Sequence, residues 1–230
     1  TFTAANTSSH NMSGGVTDTG GSGVALVTVF NNSTSTALGS DTTFPGNNWA
    51  IGSTGFFSGN SLTATATDLA GNTATATRTA PAGVAGEAIN LALSHPIVDA
   101  GSPVNVTVSG LPADWTLNAG THNSDGTWTV QTTDPGALTV TTPASYTGAL
   151  VLDINMTWTN ADGSLGNAYV ASNVEAYAPG SPIFALSTDD NLTASSGADT
   201  LVFSQPIGNN VVRSFDVAHD RIDLIGFAGI

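Results

Sequence analysis

Two aspartates near the end of the chain, Asp190 and Asp199, stand nine residues apart, and Leu192 and Leu201 follow them at the same two-place offset. A nine-residue period pairing an acid with an aliphatic residue suits a parallel β-roll. The acid sits in a turn facing a cation, and the aliphatic residue opens a short strand whose side chain points inward. Calcium takes several oxygens from carboxylates and backbone carbonyls, so a shared calcium ion is the chemistry this spacing suggests. The competing reading makes Asp190 and Asp199 ordinary turn residues of a short β-arch.

The stretch Leu186–Phe203 (LSTDDNLTASSGADTLVF) resembles the hemolysin-type (RTX) calcium-binding repeat, Gly-Gly-x-Gly-x-Asp-x-apolar-x. Gly197, Asp199 and Leu201 fit one unit, and Asp190 and Leu192 fit the one before it. Thr188, Ala194 and Ser195 stand where the pattern has glycine, and glycine is the residue that reaches positive φ without cost. The resemblance implies Ca2+ as the ligand, with Asp190, Asp199, Gly197 and Asp189 as its candidate site. The following Phe215-Asp216, Asp220 and Ile222-Asp223-Leu224 resemble the segment after such repeats in secreted RTX proteins, which is expected to cap the roll. The family also implies type I secretion through an uncleaved C-terminal signal.

The elements that position this tail read as β-structure throughout. In residues 61–77, Leu62, Ala64 and Ala66 alternate with threonines, Asp68-Leu69-Ala70-Gly71-Asn72 intervenes, and Ala74 and Ala76 resume the alternation. Period two broken by a Gly-Asn turn predicts a hairpin with one buried face. "ATDLAGN" and the earlier "TDTGGSGVALVTV" resemble bacterial immunoglobulin-like (Bap-like) repeats of large adhesins. In such repeats acidic loops at module ends bind calcium, which makes Asp68 a further candidate ligand with Asp18 or Asp99 as partner. The simpler reading of Asp68 is an Asx turn on nearby N–H groups.

Residues 80–86, APAGVAG, lack alternation and read as a linker. Beyond it Val104–Val108 alternates, and Trp115-Thr116-Leu117 and Thr127–Val130 flank an Asp125-Gly126 turn, predicting one hairpin. Strands spaced by turn signals, with no helical period, read as β-sandwiches. LPADWTLNAGTHNSDGTWTV resembles an immunoglobulin- or cadherin-like module. The expected architecture is all-β: an immunoglobulin-like β-sandwich over 1–80, a second over 81–180, and a short degenerate parallel β-roll over 181–230. Some fifty residues are too few for an independent core, so the roll is expected to lean on the second sandwich or to continue past Ile230.

A formal net charge of −14, with three arginines as the only Lys or Arg residues, repels nucleic acid and anionic membrane surfaces. The absence of cysteine is compatible with a secreted bacterial protein. No apolar run is long enough to span a bilayer and no leader pattern opens the chain, which reads as a piece of something longer. His10, His95, His122 and His219 are scattered, and no His-Glu-x-x-His, Gly-x-Ser-x-Gly or phosphate-loop motif occurs. Trp115 and Trp128, expected on one hairpin, could offer a glycan-stacking face, although core filling is the commoner use of tryptophan. The function these signs point to is non-catalytic. The chain is expected to be part of a secreted, calcium-responsive surface adhesin or fibre, with cell-surface glycans or neighbouring copies as candidate partners. The alternative is an accessory region of a secreted enzyme whose catalytic domain lies upstream.

Overall fold

In the computed structural model, alternation of small or aliphatic residues with threonine and asparagine becomes strand after strand, because period two gives each strand one face to bury. Residues 4–6, 10–18, 22–32, 34–55, 62–95, 102–161, 163, 165–186, 190–205 and 207–226 are described. The strands run β1 Ala4–Asn6, β2 Asn11–Gly15, β3 Val24–Asn31, β4 Thr36–Asp41, β5 Asn48–Gly52, β6 Leu62–Asp68 and β7 Thr73–Thr79. They continue with β8 Pro81–Val84, β9 Ala88–Asn90, β10 Val104–Ser109, β11 Thr116–Leu117, β12 Thr121–His122, β13 Trp128–Thr132, β14 Thr139–Thr141, β15 Gly148–Thr159 and β16 Leu165–Tyr177. The tail adds β17 Ile183–Phe184, β18 Asn191–Thr193, β19 Thr200–Ser204, β20 Val211–Arg213 and β21 Arg221–Ile225. The fold is all-β, consistent with two sandwiches and a roll, and among the described residues its helical turns are two short 3-10 segments.

One sheet organises the molecule, in the order β12-β13-β10-β15-β16-β7-β6-β3-β4, with β8, β18 and β20 joined to the same network. The join between the sandwiches is parallel: β16 runs beside β7 with Tyr169 opposite Ala76 and Val170 opposite Thr77. Register partners point to the same face. Tyr169 therefore shares the face of Ala76, which belongs to a first core with Met12, Val27, Val29, Trp49, Ile51 and Leu62. Val170 points the other way, into a second core built on Val104, Val106, Val108, Trp115, Val140, Leu152 and Ile154. The two cores lie on opposite faces of one continuous sheet. The sheet β1-β2-β5 supplies strands to the first core, and β11-β14-β9 closes the second.

The hairpin expected at residues 61–77 is present as β6–β7, pairing Ala64 with Ala76 and Thr63 with Thr77. Its alanines face the first core, and its threonines form the partly exposed opposite face. The expected linker at 80–86 is not a linker. Pro81–Val84 is a fully buried strand that pairs in parallel with β16 on one side and β18 on the other. Alternation is absent there because both faces are covered, which is the usual signature of a buried parallel strand. Gly83 is required at this seam: a Cβ would fall 2.9 Å from Ile89 Cγ1 and 3.1 Å from the Thr193 carbonyl oxygen. Strand β8 thus carries the sheet from the second sandwich into the tail.

Candidate functional site

The tail winds as a parallel roll. Strands β17, β19 and β21 form one wall, and β8, β18 and β20 form the other, all paired in parallel. Successive strands alternate between walls, so each half-turn spans about half a coil. Leu192 and Leu201 are both wholly buried, as the spacing predicts, and meet Ile183, Phe203, Ala82 and Val84 in a third core that Tyr177 helps to cover. The roll does lean on the second sandwich. The segment after the repeat does not cap it: β20 and β21 wind a further turn, pairing Leu192 with Val212 and Leu201 with Ile222. Ile222 and Leu224, the register partners of Leu201 and Phe203, remain 52% and 39% exposed.

This alternation separates the two aspartates. Asp190 lies in the turn entering β18 and Asp199 in the turn entering β19, at opposite edges of the roll. The expectation that they share one ion is therefore corrected: residues nine apart are half a turn out of phase, and the stacked partners are 20 and 21 residues on. On the first edge the Asp190 N–H donates to Asn210 Oδ1 at 2.7 Å, and the Val211 N–H donates back to the Asp190 carbonyl at 2.9 Å. On the second edge the Asp199 N–H donates to Asp220 Oδ1 at 2.8 Å, and the Arg221 N–H donates to the Asp199 carbonyl at 3.0 Å. The same two-bond clamp is built twice.

Further carboxylate oxygens on the second edge are also engaged. Asp220 Oδ2 accepts from the Asp216 N–H at 2.8 Å, and Asp199 Oδ2 accepts from the Ser195 N–H. Asp216 Oδ1 accepts from the Ala218 N–H, and Asp216 Oδ2 lies 2.7 Å from His219 Nδ1. The hydrogen bond from His219 holds the Asp216 carboxyl below its ordinary range, and the same bond raises the imidazole above its own. Gly197 is exposed, donates its N–H to Ser195 Oγ at 3.0 Å, and does not take the left-handed conformation.

The calcium that the repeat implies can be tested against this donor set. Among the described residues no three Asp, Glu, His or Cys side chains converge to hold a metal ion. On the first edge the Asn210 Oδ1 is taken up by the Asp190 N–H. The described residues do not fit a shared calcium site, and Asp189 lies outside them.

Asp68 is engaged locally. Its Oδ1 accepts from the Asn72 N–H and its Oδ2 from Asn72 Nδ2, both at 2.8 Å, which is the Asx-turn reading. The Asn72 side-chain bond, with further help from Ser22, holds the Asp68 carboxyl below its usual range. Of its two expected partners, Asp18 does come near: Ser22 Oγ stands 2.9 Å from Asp68 Oδ2 and 3.0 Å from Asp18 Oδ2. Asp99 lies outside the described residues. The two carboxylates help to line a groove of about 670 Å³, together with Val27, Trp49, Ala76, Asn167 and Tyr169.

The tryptophans do not form a platform. Trp115 precedes β11, which pairs with β14, whereas Trp128 opens β13, which pairs with β12 and β10. The expected single hairpin is thus two strands in two different sheets. Trp115 is buried edge-on against Tyr146, ring centroids 4.9 Å apart, and Trp128 stacks on His122 at 5.4 Å. Trp158 lies over Gly166, where no Cβ would fit, and donates Nε1–H to Asn160 Oδ1.

Asn210 was the residue hidden from the nine-residue count. Its signal is in the sequence nonetheless: Asp190-x-Leu192, Asp199-x-Leu201, Asn210-x-Val212 and Asp220-x-Ile222 repeat one pattern, acid or amide two places before an aliphatic residue. The intervals are 9, 11 and 10 residues, so a fixed period misses the last two. Glu175 is a second unanticipated group. It lies on β16 beside β8, where burial pushes its carboxyl up and the Asp190 carboxylate adds to the rise.

No protein-family model matches the chain, and no curated protein matches it. Among solved structures it is similar to the BSP domain of a biofilm-associated protein, at 16% identity and a TM-score of 0.27, covering 79% of this chain and 30% of that one. A second is a structure titled for the host-cell surface retention of a 1.5-MDa bacterial ice-binding adhesin, at 18% identity and a TM-score of 0.21, covering 73% and 58%. The chain spans about a third and somewhat over half of the lengths of these two structures.

Proposed function

We propose that this chain is a non-catalytic, load-bearing segment of a secreted bacterial surface protein of the adhesin or fibre kind. The observation that carries this reading is the shared sheet. Spacer modules strung on flexible linkers bend at every joint, whereas here β7–β16 and β16–β8–β18 pair strands across both joints. Parallel strands pulled from their ends load many hydrogen bonds together, so such joints resist extension. The acidic, cysteine-free, threonine-rich composition suits a solvated extracellular surface. Export by the type I route is part of the proposal and rests on the resemblance of the terminal repeat. Calcium enters only through that resemblance.

Single-molecule pulling tests the mechanical reading. With handles at both ends, the second sandwich and the roll should yield as one high-force event, since β8 belongs to both. Separate low-force events for residues 81–180 and 181–226 would contradict it. Turnover of any glycan or peptide substrate by the isolated chain would contradict the non-catalytic part.

A further inference from the structure

We propose that the terminal roll is closed by a ladder of Asp and Asn side chains on backbone N–H groups, in place of the metal ions its repeat implies, and that it keeps its fold with no cation bound. Each of the four acid or amide residues, Asp190, Asp199, Asn210 and Asp220, directly precedes a roll strand. On both edges the upper residue's Oδ1 accepts the N–H of the lower residue, and the N–H following the upper residue returns to the lower carbonyl. A side-chain acceptor thus does on each edge what a coordinated ion does in a metal-filled roll: it ties one coil to the next.

Three features favour the ladder over a metal. A carboxylate oxygen that already accepts a backbone N–H has that lone pair occupied without a metal, and Asp199 and Asp220 both accept such bonds. Asn210 closes its edge with the same geometry and no charge, so the clamp does not depend on an anion. Two of the turn glycines that would aim carbonyls at a metal are replaced, while Gly197 is kept. Ala194 and Ser195 take no left-handed conformation, and the Ser195 N–H turns inward to Asp199 instead. The groups facing the charged edge are Asp199, Asp216, Asp220, His219 and Arg221, the last donating Nε–H to Thr200 Oγ1 at 2.9 Å. A tail built this way folds without calcium and is not switched by it. This inference stands apart from the load-bearing reading, which would survive its failure.

Amide exchange measured by NMR on the intact chain tests it, because the Asp190 and Asp199 N–H groups are the rungs. Both should be equally protected in chelator and in millimolar calcium. Asn210→Ala should speed exchange at Asp190 by about ten-fold or more, and Asp220→Ala should do the same at Asp199. Asn210→Asp keeps an acceptor oxygen and should restore protection at Asp190, which separates loss of the rung from misfolding. Protection that appears only with calcium, or variants that leave both amides unchanged, would overturn the proposal.

Discussion

Asp68 and Asp220 do the same chemistry at different range. Asp68 accepts two hydrogen bonds from Asn72, four residues away, within the turn of its own hairpin. Asp220 accepts one from Asp216, four residues back, and one from Asp199, 21 residues back, across a full coil of the roll. The first bond set forms whenever the hairpin turns, with little chain to order. The second exists only after the loop between the coils is closed, which costs entropy before any bond forms. Identical side chains therefore report different things: Asp68 marks a turn, and Asp220 marks a tertiary structure.

Removing the core beneath the long-range clamp should have the largest effect. Leu201→Ala empties a wholly buried site in the roll and should cost about 2–5 kcal/mol. All four tryptophans lie in residues 49–158, outside the roll, and since β8 joins the roll to the second sandwich, urea unfolding of the variant should move to lower denaturant by circular dichroism and by tryptophan fluorescence together. Next in size is Asp220→Ala, which strands the buried Asp199 N–H and should cost about 1–3 kcal/mol by the same titration. An early loss of dichroism with tryptophan fluorescence unchanged in either variant would mean that the roll unfolds apart from the second sandwich, against the shared-strand reading.

The seam between the two regions gives a pH test. The Glu175 carboxyl is raised above 4.5 in the fold, chiefly by burial and then by Asp190. The folded state thus holds the proton more tightly than the unfolded one, and stability rises as pH falls through the raised value toward 4.5. Glu175→Gln should raise the melting temperature at pH 7 and flatten that rise.

A smaller effect is expected from the exposed Asp216–His219 pair. The raised imidazole contributes stability below 6.5 that is lost as pH climbs through its folded value. The lowered carboxyl contributes above 3.8 and loses that as pH falls through its own. Its contribution is greatest between those limits, and His219→Ala should remove it from a melting-versus-pH curve, with little change elsewhere. Smallest of all, Asp68→Asn keeps an acceptor for the Asn72 N–H but loses the one that Asn72 Nδ2 and Ser22 Oγ use, and should lower the melting temperature at pH 7 only slightly.

Local patterns were the legible ones. Alternation located β6–β7 and β10, and the acid-aliphatic spacing located the roll with Leu192 and Leu201 inside it. What escaped depends on partners distant in sequence. Pro81–Val84 has no alternation because both its faces are buried, so it looks like a linker until β16 and β18 are beside it. Trp115 and Trp128 flank a good turn signal, yet the chain crosses to another sheet between them. Asp190 and Asp199 share a period but not an edge, because in a two-walled roll a nine-residue step is half a turn. Asn210 completes the first edge at an interval that no fixed repeat contains.

Hydrogen exchange through Pro81–Ala85 tests most directly whether one sheet runs through all three cores. The Ala85 N–H donates to the Tyr177 carbonyl at 2.8 Å, and the strand before it is paired on both sides. A shared sheet predicts protection across Ala82–Ala85 equal to that of β16 itself. Exchange there as fast as in an open turn would show a hinge where the sheet should be, and the continuous-sheet description would be wrong.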